Sequence, residues 1–203
     1  MTEERAARIA ESAQVEDGAV IGADAQIWHR AHIRGGAEIG AGTVIGSGVY
    51  VGPGVRMGRN CKVQNLALVY EPAVLEDGVF VGPAVVFTND LNPRAVNPDL
   101  TLKSADDWQA VGVTVREGAA IGARSVCVAP VEIGAWALVA AGSTVVRDVP
   151  SFALVAGSPA RRIGWVGRVG VRLVEDGDGR WRCPSSGEIY VEDGDGLRIE
   201  TSS

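Results

Sequence analysis

Apolar residues recur along this chain with a period of six. The recurring positions form one unbroken series of Val15, Ile21, Ile27, Ile33, Ile39, Ile45, Val51, Met57, Val63, Val69, Leu75, Val81 and Phe87. A small or β-branched residue follows four places after each member up to Val81, and glycine often follows directly. Because side chains alternate along a strand, both recurring positions point inward in a three-sided parallel β-helix with eighteen residues per coil. The pattern therefore predicts an all-β solenoid and disfavours a sandwich, whose turns would fall at irregular intervals.

The series is interrupted once. It stops at Phe87 and resumes at Val115, and then continues through Ile121, Cys127, Ile133, Val139 and Val145. The interval of 28 residues between Phe87 and Val115 is not a multiple of six. We therefore expect a loop of roughly residues 88–110 to leave the solenoid. Long aperiodic loops inside a compact domain are usually functional.

The two ends of the chain lack the series. Residues 1–14 are expected to form an N-terminal arm, either frayed or a short helix, before a solenoid over 15–165. In residues 166–203, short apolar runs alternate with Asp-Gly turns. This alternation predicts a β-rich segment that caps the open end of the solenoid. The repeated EDGDG at 175–179 and 192–196 is interpreted as turns, because neither copy continues to the acidic residue of a calcium loop.

The composition of the chain restricts the classes of partner and the cellular location that we expect. A formal net charge of −6 argues against nucleic acid as the main partner. No apolar run resembles a signal peptide or could span a membrane, so we expect a cytoplasmic protein. Cys61 and Cys127 fall at inward positions and are expected to be core thiols rather than disulfides. Cys183 lies in a Cys-Pro turn without a second cysteine pair, so no metal site is expected.

Several motifs carry a resemblance to known families. The hexapeptide series, the interrupting loop and VAGSPAR at 155–161 together resemble the left-handed β-helix acyltransferases over about residues 15–165. A narrower similarity is to the nucleotide-sugar N-acetyltransferases that acetylate a 3-amino group, and the CPSSGEIY segment at 183–190 resembles the tail of the glucuronate type. The motifs that carry it are IWHRAHI at 27–33, KVQNLALVYE at 62–71, VFVGPAVVFTNDLNPRA at 79–95 and FALVAGSPARRIGWV at 152–166.

The resemblance implies a reaction and an assembly. It implies a left-handed coil and a homotrimer with active sites between subunits. Acetyl-CoA would be the co-substrate and would lie along the cleft between neighbouring solenoids. The acceptor would be a nucleotide-linked amino sugar, either a UDP-3-amino glucuronate or a dTDP-3-amino-dideoxyhexose.

Glu71 and Asn89 are the expected reacting centre. Positions eighteen apart stack one coil above the other, about 4.8 Å apart. Glu71 should therefore lie directly beneath Asn89, at a corner where glycine is the usual residue. By resemblance, Asn89 contacts the sugar amine, and Glu71 could bind a sugar hydroxyl or neutralise an ammonium group. The structural alternatives are an Asn89 that turns the chain into the loop and a Glu71 that is a solvated corner carboxylate.

Other residues are candidates for binding the acceptor. Arg94 could pair with a carboxylate or a diphosphate, or it could be satisfied by backbone carbonyls. Asp90 could contact the substrate or order the loop through an Asx turn. Further candidates for sugar contacts at the coil corners are Gln64, Asn65 and Tyr70.

The proton acceptor is open. His29 and His32 are the only histidines, and within one chain both lie about 10–15 Å before Asn89 along the axis. His29 is kept as a substrate-binding candidate, since a neighbouring subunit could bring a histidine closer. If neither acts as a base, the amine must bind neutral and the departing CoA thiolate takes the proton. The oxyanion would then need a backbone N–H of a coil after the loop.

The co-substrate candidates lie after the loop. Arg161 and Arg162 follow the last coil and could hold the phosphates of CoA, or they could be a solvated pair. The small corner of a late coil could let the pantetheine arm approach the backbone, although the coil itself also requires small residues there. This corner consists of Ala140, Ala141 and Gly142.

Three other functions compete with amino-sugar N-acetylation. An O-acetyltransferase of the same fold would usually need a base. A γ-type carbonic anhydrase resembles this solenoid but uses three zinc-binding histidines, and this chain has two in all. A non-catalytic scaffold would bind no CoA and would not need the loop.

Overall fold

The structure, a computed structural model, describes residues 5–200 as a chain of very short strands. The strands are β1 (Arg8–Ile9), β2 (Gln14–Val15), β3 (Val20–Ile21), β4 (Gln26–Ile27), β5 (His32–Ile33), β6 (Glu38–Ile39), β7 (Val44–Ile45), β8 (Tyr50–Val51), β9 (Arg56–Met57), β10 (Lys62–Val63), β11 (Leu68–Val69), β12 (Val74–Leu75), β13 (Phe80–Val81), β14 (Val86–Phe87), β15 (Val113–Val115), β16 (Ala120–Ile121), β17 (Val126–Cys127), β18 (Val131–Ile133), β19 (Leu138–Val139), β20 (Thr144–Val145), β21 (Ala153–Gly157), β22 (Ala160–Trp165), β23 (Val174–Glu175), β24 (Arg180–Arg182), β25 (Ile189–Asp193) and β26 (Gly196–Ile199). A 3-10 turn covers Ala105–Asp107.

From β1 to β20, strands three apart in sequence pair in parallel and build three flat faces. Face A has the order β1-β4-β7-β10-β13-β16-β19-β21-β22, face B the order β2-β5-β8-β11-β14-β17-β20, and face C the order β18-β15-β12-β9-β6-β3. The register is eighteen residues, as in the pairing of Val63 with Val81. This is the three-sided solenoid that the six-residue period predicts.

The inward positions form one continuous core. From Ala25 onward, both the large residues of the series, such as Ile33 and Val81, and the small residues four places on, such as Ala67, are buried. Cys61 and Cys127 are free and buried in this core, as expected. Burial raises the pKa of the Cys127 thiol to about 12, which keeps it protonated.

The solenoid begins earlier than the sequence interpretation placed it. β1 pairs with β4, and Ile9 stands six residues before Val15, so it belongs to the same series. The N-terminal arm expected over 1–14 is therefore wrong from Arg8 onward. Its first four residues lie outside the described part of the chain.

The interrupting loop leaves the solenoid between β14 and β15. The backbone N–H of Val111 donates to the carbonyl of Asn89 (3.0 Å), and an antiparallel bridge joins Asp90 to Ala110 at the loop's base. Leu75 then pairs with Val115, forty residues along rather than eighteen. Twenty-two residues are thus inserted without disturbing the stacking of the coils.

The C-terminal segment packs against the last coil. β21 and β22 form an antiparallel hairpin at the end of face A, and β23–β26 form a separate four-stranded antiparallel sheet. The buried Tyr190 ring contacts Phe152 at a centroid distance of 5.1 Å, and its hydroxyl accepts from Arg168 N. Residues 201–203 lie outside the described part. Among residues 5–200, no helix is long and apolar enough to cross a membrane.

Candidate active site

Three successive corners of one coil carry side chains that fold back onto the preceding coil. Asn65 Oδ1 accepts from the backbone N–H of Ser47 at 2.9 Å, and Asp77 Oδ1 accepts from that of Arg59 at 2.7 Å. Each acceptor thus caps the residue eighteen positions before it. Such bonds satisfy corner N–H groups that the strand pairing leaves free.

Glu71 occupies the corner between these two, but no backbone N–H is present for its side chain to accept from. The residue eighteen positions before it is Pro53, which has no N–H. Glu71 Oε2 is buried and has no hydrogen-bond partner among residues 5–200. Glycine at position 52 makes room for this side chain, because a Cβ there would lie 2.8 Å from Glu71 N and collide with the carboxylate. A buried carboxylate oxygen without a partner is costly, so it invites a donor from outside the chain.

Asn89 follows Glu71 by one coil at the same corner, as the register predicted. It is half-buried, and its carbonyl closes the base of the loop by accepting from Val111 N. The paired strands β11 and β14 fix this stacking, because Val69 is in register with Phe87. Glu71 and Asn89 therefore stand one strand spacing apart, about 4.8 Å, where the loop begins.

The loop residues show the structural contacts that the sequence left as alternatives. Asp90 Oδ1 accepts from Asn92 N at 2.8 Å in an Asx turn. Arg94 donates from Nη1 to the carbonyl of Pro93 at 2.8 Å. These contacts order the loop but leave both side chains at its surface.

Two clefts lie beside the loop's base and share part of their lining. One measures about 290 Å³ and the other about 390 Å³, and both are lined by Asp90, Lys103 and Trp108. Arg94 lines the larger one. Sequence reasoning missed Lys103 and Trp108. Only their place inside the aperiodic segment could have pointed to them, because no period relates them to the corners.

The other acceptor candidates divide between two edges of face B. Tyr70 lies beside Glu71, and its ring packs on that of Tyr50 at 5.2 Å. Gln64 and Asn65 stand at the opposite edge, where face A turns into face B. Asn65 is occupied in capping Ser47. The structure therefore brings Tyr70, but not Gln64 or Asn65, to the corner of Glu71.

The two histidines lie three coils before Asn89, about 14 Å away at the strand spacing. His29 is exposed, with Nδ1 3.0 Å from Ser12 Oγ. His32 Nε2 lies 2.8 Å from Glu16 Oε1. Within one chain neither reaches the corner of Asn89.

Glu16 is ionised far below the usual range. Its pKa is lowered to about 2, first by the backbone N–H of Gly35 and then by Arg34 and His32. Gly35 N donates to Glu16 Oε2 at 2.9 Å. The carboxylate is thus held as an anion against one guanidinium and one imidazole.

The co-substrate candidates gather at the C-terminal end of face A. Ala140 follows β19, and its carbonyl accepts from Ser125 Oγ at 3.1 Å and from Ser143 Oγ at 2.7 Å. The next two corner residues, Ala141 and Gly142, are exposed. Gly142 has a φ of +72°, and a Cβ there would meet nothing, so backbone conformation rather than space favours glycine.

Arg161 and Arg162 lie on β22, two strands from β19. Arg161 donates from Nη1 to the carbonyl of Ala160, and the Arg162 guanidinium stacks over the Trp165 ring at 4.1 Å. Both side chains are exposed. These residues and Ala140 stand at the edge between faces A and B, whereas Glu71 and Asn89 stand at the edge between faces B and C. Within the described residues, no group of three His, Cys, Asp or Glu side chains is arranged as a metal site.

Coils of eighteen residues, three parallel faces and one inserted loop define a hexapeptide-repeat β-helix protein. Residues 7–53 match the bacterial transferase hexapeptide family, described as six repeats. Residues 112–147 match the hexapeptide repeat of succinyl-transferase. The predicted fold class, a left-handed parallel β-helix with an extruded loop, and the resemblance to hexapeptide acyltransferases are thereby confirmed.

Curated relatives match short segments. A segment of 52 residues, 26% of this chain, is 56% identical to dTDP-3-amino-3,6-dideoxy-alpha-D-galactopyranose 3-N-acetyltransferase of Aneurinibacillus thermoaerophilus and covers 27% of that protein. A segment of 52 residues is 50% identical to serine acetyltransferase 4 of Arabidopsis thaliana and covers 15% of it. The chain thus spans about a quarter or less of these two relatives.

Solved structures share the fold. A hexapeptide transferase family protein from Anaplasma phagocytophilum superimposes with a TM-score of 0.51 at 19% identity, covering 81% of this chain and 86% of that one. The acetyltransferase domain of PglB from Neisseria gonorrhoeae gives 0.51 at 19% identity, covering 79% and 58%. At this level of identity the likeness concerns the fold alone.

Proposed function

We propose that this chain is an acetyl-CoA-dependent N-acetyltransferase that acetylates the 3-amino group of a nucleotide-linked amino sugar. The observation that carries the proposal is the unpartnered, buried oxygen of Glu71 one coil beneath Asn89. A sugar amine has the N–H donors that this oxygen lacks. The 56% identity to a dTDP-3-amino-sugar N-acetyltransferase supports this class of acceptor.

The two corner residues would orient the nucleophile. Glu71 and the Asn89 side-chain carbonyl would accept hydrogen bonds from the amine, which aims its lone pair at the thioester carbon. The C–N bond forms, a tetrahedral intermediate collapses, and the C–S bond breaks. The leaving CoA thiolate then takes the proton that the amine loses. This route requires no histidine, which agrees with the separation of about 14 Å along the solenoid axis between Asn89 and the histidines of the same chain.

The active site would be shared between subunits. Glu71 and Asn89 occupy one edge of the prism, whereas Ala140 and Arg161 occupy another. Acetyl-CoA bound at the second edge of one subunit could reach the first edge of a neighbour in a closed ring of three. The homotrimer and the cytoplasmic location expected from the sequence stay part of this proposal.

The test is thiol release from acetyl-CoA with UDP- and dTDP-linked 3-amino sugars. We expect release with one of them, and a loss of about 10- to 100-fold in kcat/KM for Glu71→Gln, which removes a charged hydrogen-bond acceptor. Asn89→Ala should lose at least as much. Asp77→Asn is the matched control, because Asp77 is a neighbouring corner carboxylate that is already paired. Release unaffected by either variant would move the chemistry elsewhere.

O-Acetyl transfer is the second candidate. The identity of 50% to serine acetyltransferase 4 over 52 residues favours it. Serine is therefore included as an acceptor in the same assay. Thiol release with serine and with no amino sugar would replace the first proposal. Absence of release with every acceptor, together with absence of CoA binding, would indicate a scaffold.

A further inference from the structure

A stripe of polar and aromatic side chains runs along the first four coils and ends at the proposed active-site corner. Its members, here called the N-terminal stripe, are Glu16, His32, Arg34, Tyr50 and Tyr70. His32 and Tyr50 project outward from adjacent paired strands of face B. The other three stand where face B turns into face C. Glu71 and Asn89 continue the same line, so the stripe and the proposed reacting centre form one surface.

Hydrogen bonds and an ion pair connect the polar members. Glu16 Oε1 lies 2.8 Å from His32 Nε2 and 2.7 Å from Arg34 Nε. Arg34 donates from Nη1 to the hydroxyl of Tyr50 at 3.1 Å. The carboxylate and the guanidinium each keep 39% of their side-chain surface exposed. Both groups are therefore held in a fixed orientation and still have hydrogen-bonding capacity for a ligand, since a guanidinium has five N–H donors.

The aromatic members form a continuous packed row. The His32 and Tyr50 rings meet edge to face at 5.7 Å, and Tyr50 and Tyr70 pack at 5.2 Å with an interplanar angle of 47°. The solenoid itself does not need these rings. On the next two strands of face B the outward residues are Leu68 and Val86. The inward series alone fills the core.

We propose that the N-terminal stripe binds the nucleoside half of the acceptor, an inference that rests on the proposed function. The CoA candidates lie at the C-terminal end, and the sugar amine would be held at Asn89. The remainder of the acceptor then has room along the earlier coils. Arg34 stands three strand spacings before the corner of Asn89, about 14 Å away, which an extended nucleoside diphosphate can span.

The chemistry of the stripe suits a nucleoside better than a phosphate. Glu16 balances the charge of Arg34, so this ion pair offers a phosphate no net positive charge. It does offer both acceptors and donors, which ribose hydroxyls and the polar edge of a base require. Aromatic side chains provide faces on which any nucleic-acid base can stack. The Tyr50 and Tyr70 rings supply these faces.

Nucleotide binding without any acetyl donor tests the inference. Calorimetry with UDP and with dTDP is compared for the full chain, Tyr50→Ala and Arg34→Gln. We expect at least one nucleotide to bind, and Tyr50→Ala to weaken it by about 5- to 100-fold, the range for loss of one base–aromatic stack. Arg34→Gln should weaken it by about 10- to 100-fold, the range for loss of a hydrogen bond from a charged group. Matched controls are Phe80→Ala and Arg56→Gln, which remove outward side chains from faces A and C and should leave binding unchanged. Tyr50→Phe keeps the ring and should retain most of the affinity.

The outcomes separate this inference from the proposed function. Stripe-dependent nucleotide binding without amine acetylation would uphold the stripe and refute the function. Equal binding by all variants, or binding of neither nucleotide, would overturn the stripe's role even if acetyl transfer is observed. Competition by inorganic pyrophosphate as strong as by UDP would also overturn it, because the site would then recognise anions. Thermal unfolding of each variant checks that a loss of binding is not a loss of folding.

Discussion

The unpaired oxygen of Glu71 leads to the prediction that replacing Pro53 stabilises the protein. Pro53→Ser would place a backbone N–H beneath Glu71 Oε2, where Ser47 and Arg59 donate to the neighbouring corner side chains. Serine is already the residue at position 47, so the corner backbone accepts it. The new N–H should capture the buried carboxylate oxygen.

The magnitude follows from two opposing terms. A hydrogen bond from an amide to a charged group contributes about 1.5–3 kcal/mol. Glu71 Oε2 makes no such bond in the parent protein. Loss of proline raises the entropy of the unfolded chain, which costs about 0.4–1 kcal/mol. The net expectation is a gain of about 1 kcal/mol in the free energy of unfolding. For a chain of this size that raises Tm by about 2–4 °C.

The same substitution should lower activity. A Glu71 oxygen that already accepts from residue 53 has one acceptor site fewer and a fixed orientation, so it accepts less well from a substrate amine. We expect kcat/KM to fall about tenfold, which corresponds to roughly 1.4 kcal/mol. Activity is measured by thiol release and stability by thermal and urea unfolding at one protein concentration.

Pro83→Ser is the matched control. It removes a corner proline, but the residue stacked above it in the next coil is Ala123, which carries no acceptor. Pro83→Ser should therefore lose the entropic stabilisation that proline gives without gaining a hydrogen bond. If the Tm of Pro53→Ser is no higher than that of Pro83→Ser, the Glu71 carboxylate gains no hydrogen bond from residue 53, and the reasoning is refuted. Unchanged kcat/KM in a stabilised Pro53→Ser would separate Glu71 from the chemistry.

Three further predictions concern charge and thiols. Arg116→Gln should cost about 1 kcal/mol by urea unfolding, because the half-exposed guanidinium pairs with Glu76 at 2.8 Å and with a second glutamate on face C. Glu16 should titrate near pH 2 by carboxyl NMR. Because its pKa is lowered on folding from 4.5, its contribution to stability is complete above about pH 4.5 and is lost as the pH falls towards 2. Cys183 and Cys127 are both buried, so each reacts only when the structure opens locally; the lower pKa of Cys183 should then make it react with iodoacetamide first, as followed by mass spectrometry. Burial alone would raise the pKa of Cys183, but hydroxyl and amide donors of its turn lower it to about 7.

Each of these has a contrary result. An Arg116→Gln variant as stable as the parent would mean that the two ion pairs only break even with solvation. A Glu16 resonance that titrates near its ordinary pKa of 4.5 would show that Gly35 does not hold the carboxylate in solution. Labelling of Cys127 at the same rate as Cys183 would indicate that the last coils open readily.

The fold could be predicted because its cause is local and repeated. Each inward residue from Ala25 to Phe87 is buried in the same way, so a single period determines strands, faces and register together. Ile9 was missed because it lies in a segment of alternating alanine, arginine and glutamate residues that does not indicate a strand. The loop's existence followed from the broken period. Its inner structure did not, since Lys103 and Trp108 meet Asp90 through turns that obey no period.

The site was predictable only in part. The eighteen-residue register placed Glu71 beneath Asn89, and strand pairing reproduces that stacking. The capping of Ser47 and Arg59 by Asn65 and Asp77 follows from side-chain orientations that no period specifies, so the importance of Pro53 beneath Glu71 was not evident from the sequence. The register also separates Gln64 and Asn65 from Glu71 by the width of face B. Grouping them as one set of sugar contacts overlooked that a three-sided coil has three distinct edges.

The twenty-two inserted residues have a consequence for how such a chain can change over generations. The pairing of Leu75 with Val115 uses backbone groups and inward side chains that the loop never touches. Insertions of different length or composition at this point therefore leave the coils on either side free to stack as before. The whole loop beside the proposed reacting centre can be exchanged in one genetic event, while the remaining corners evolve residue by residue. Chains built on this plan are expected to diverge in substrate much faster than in fold.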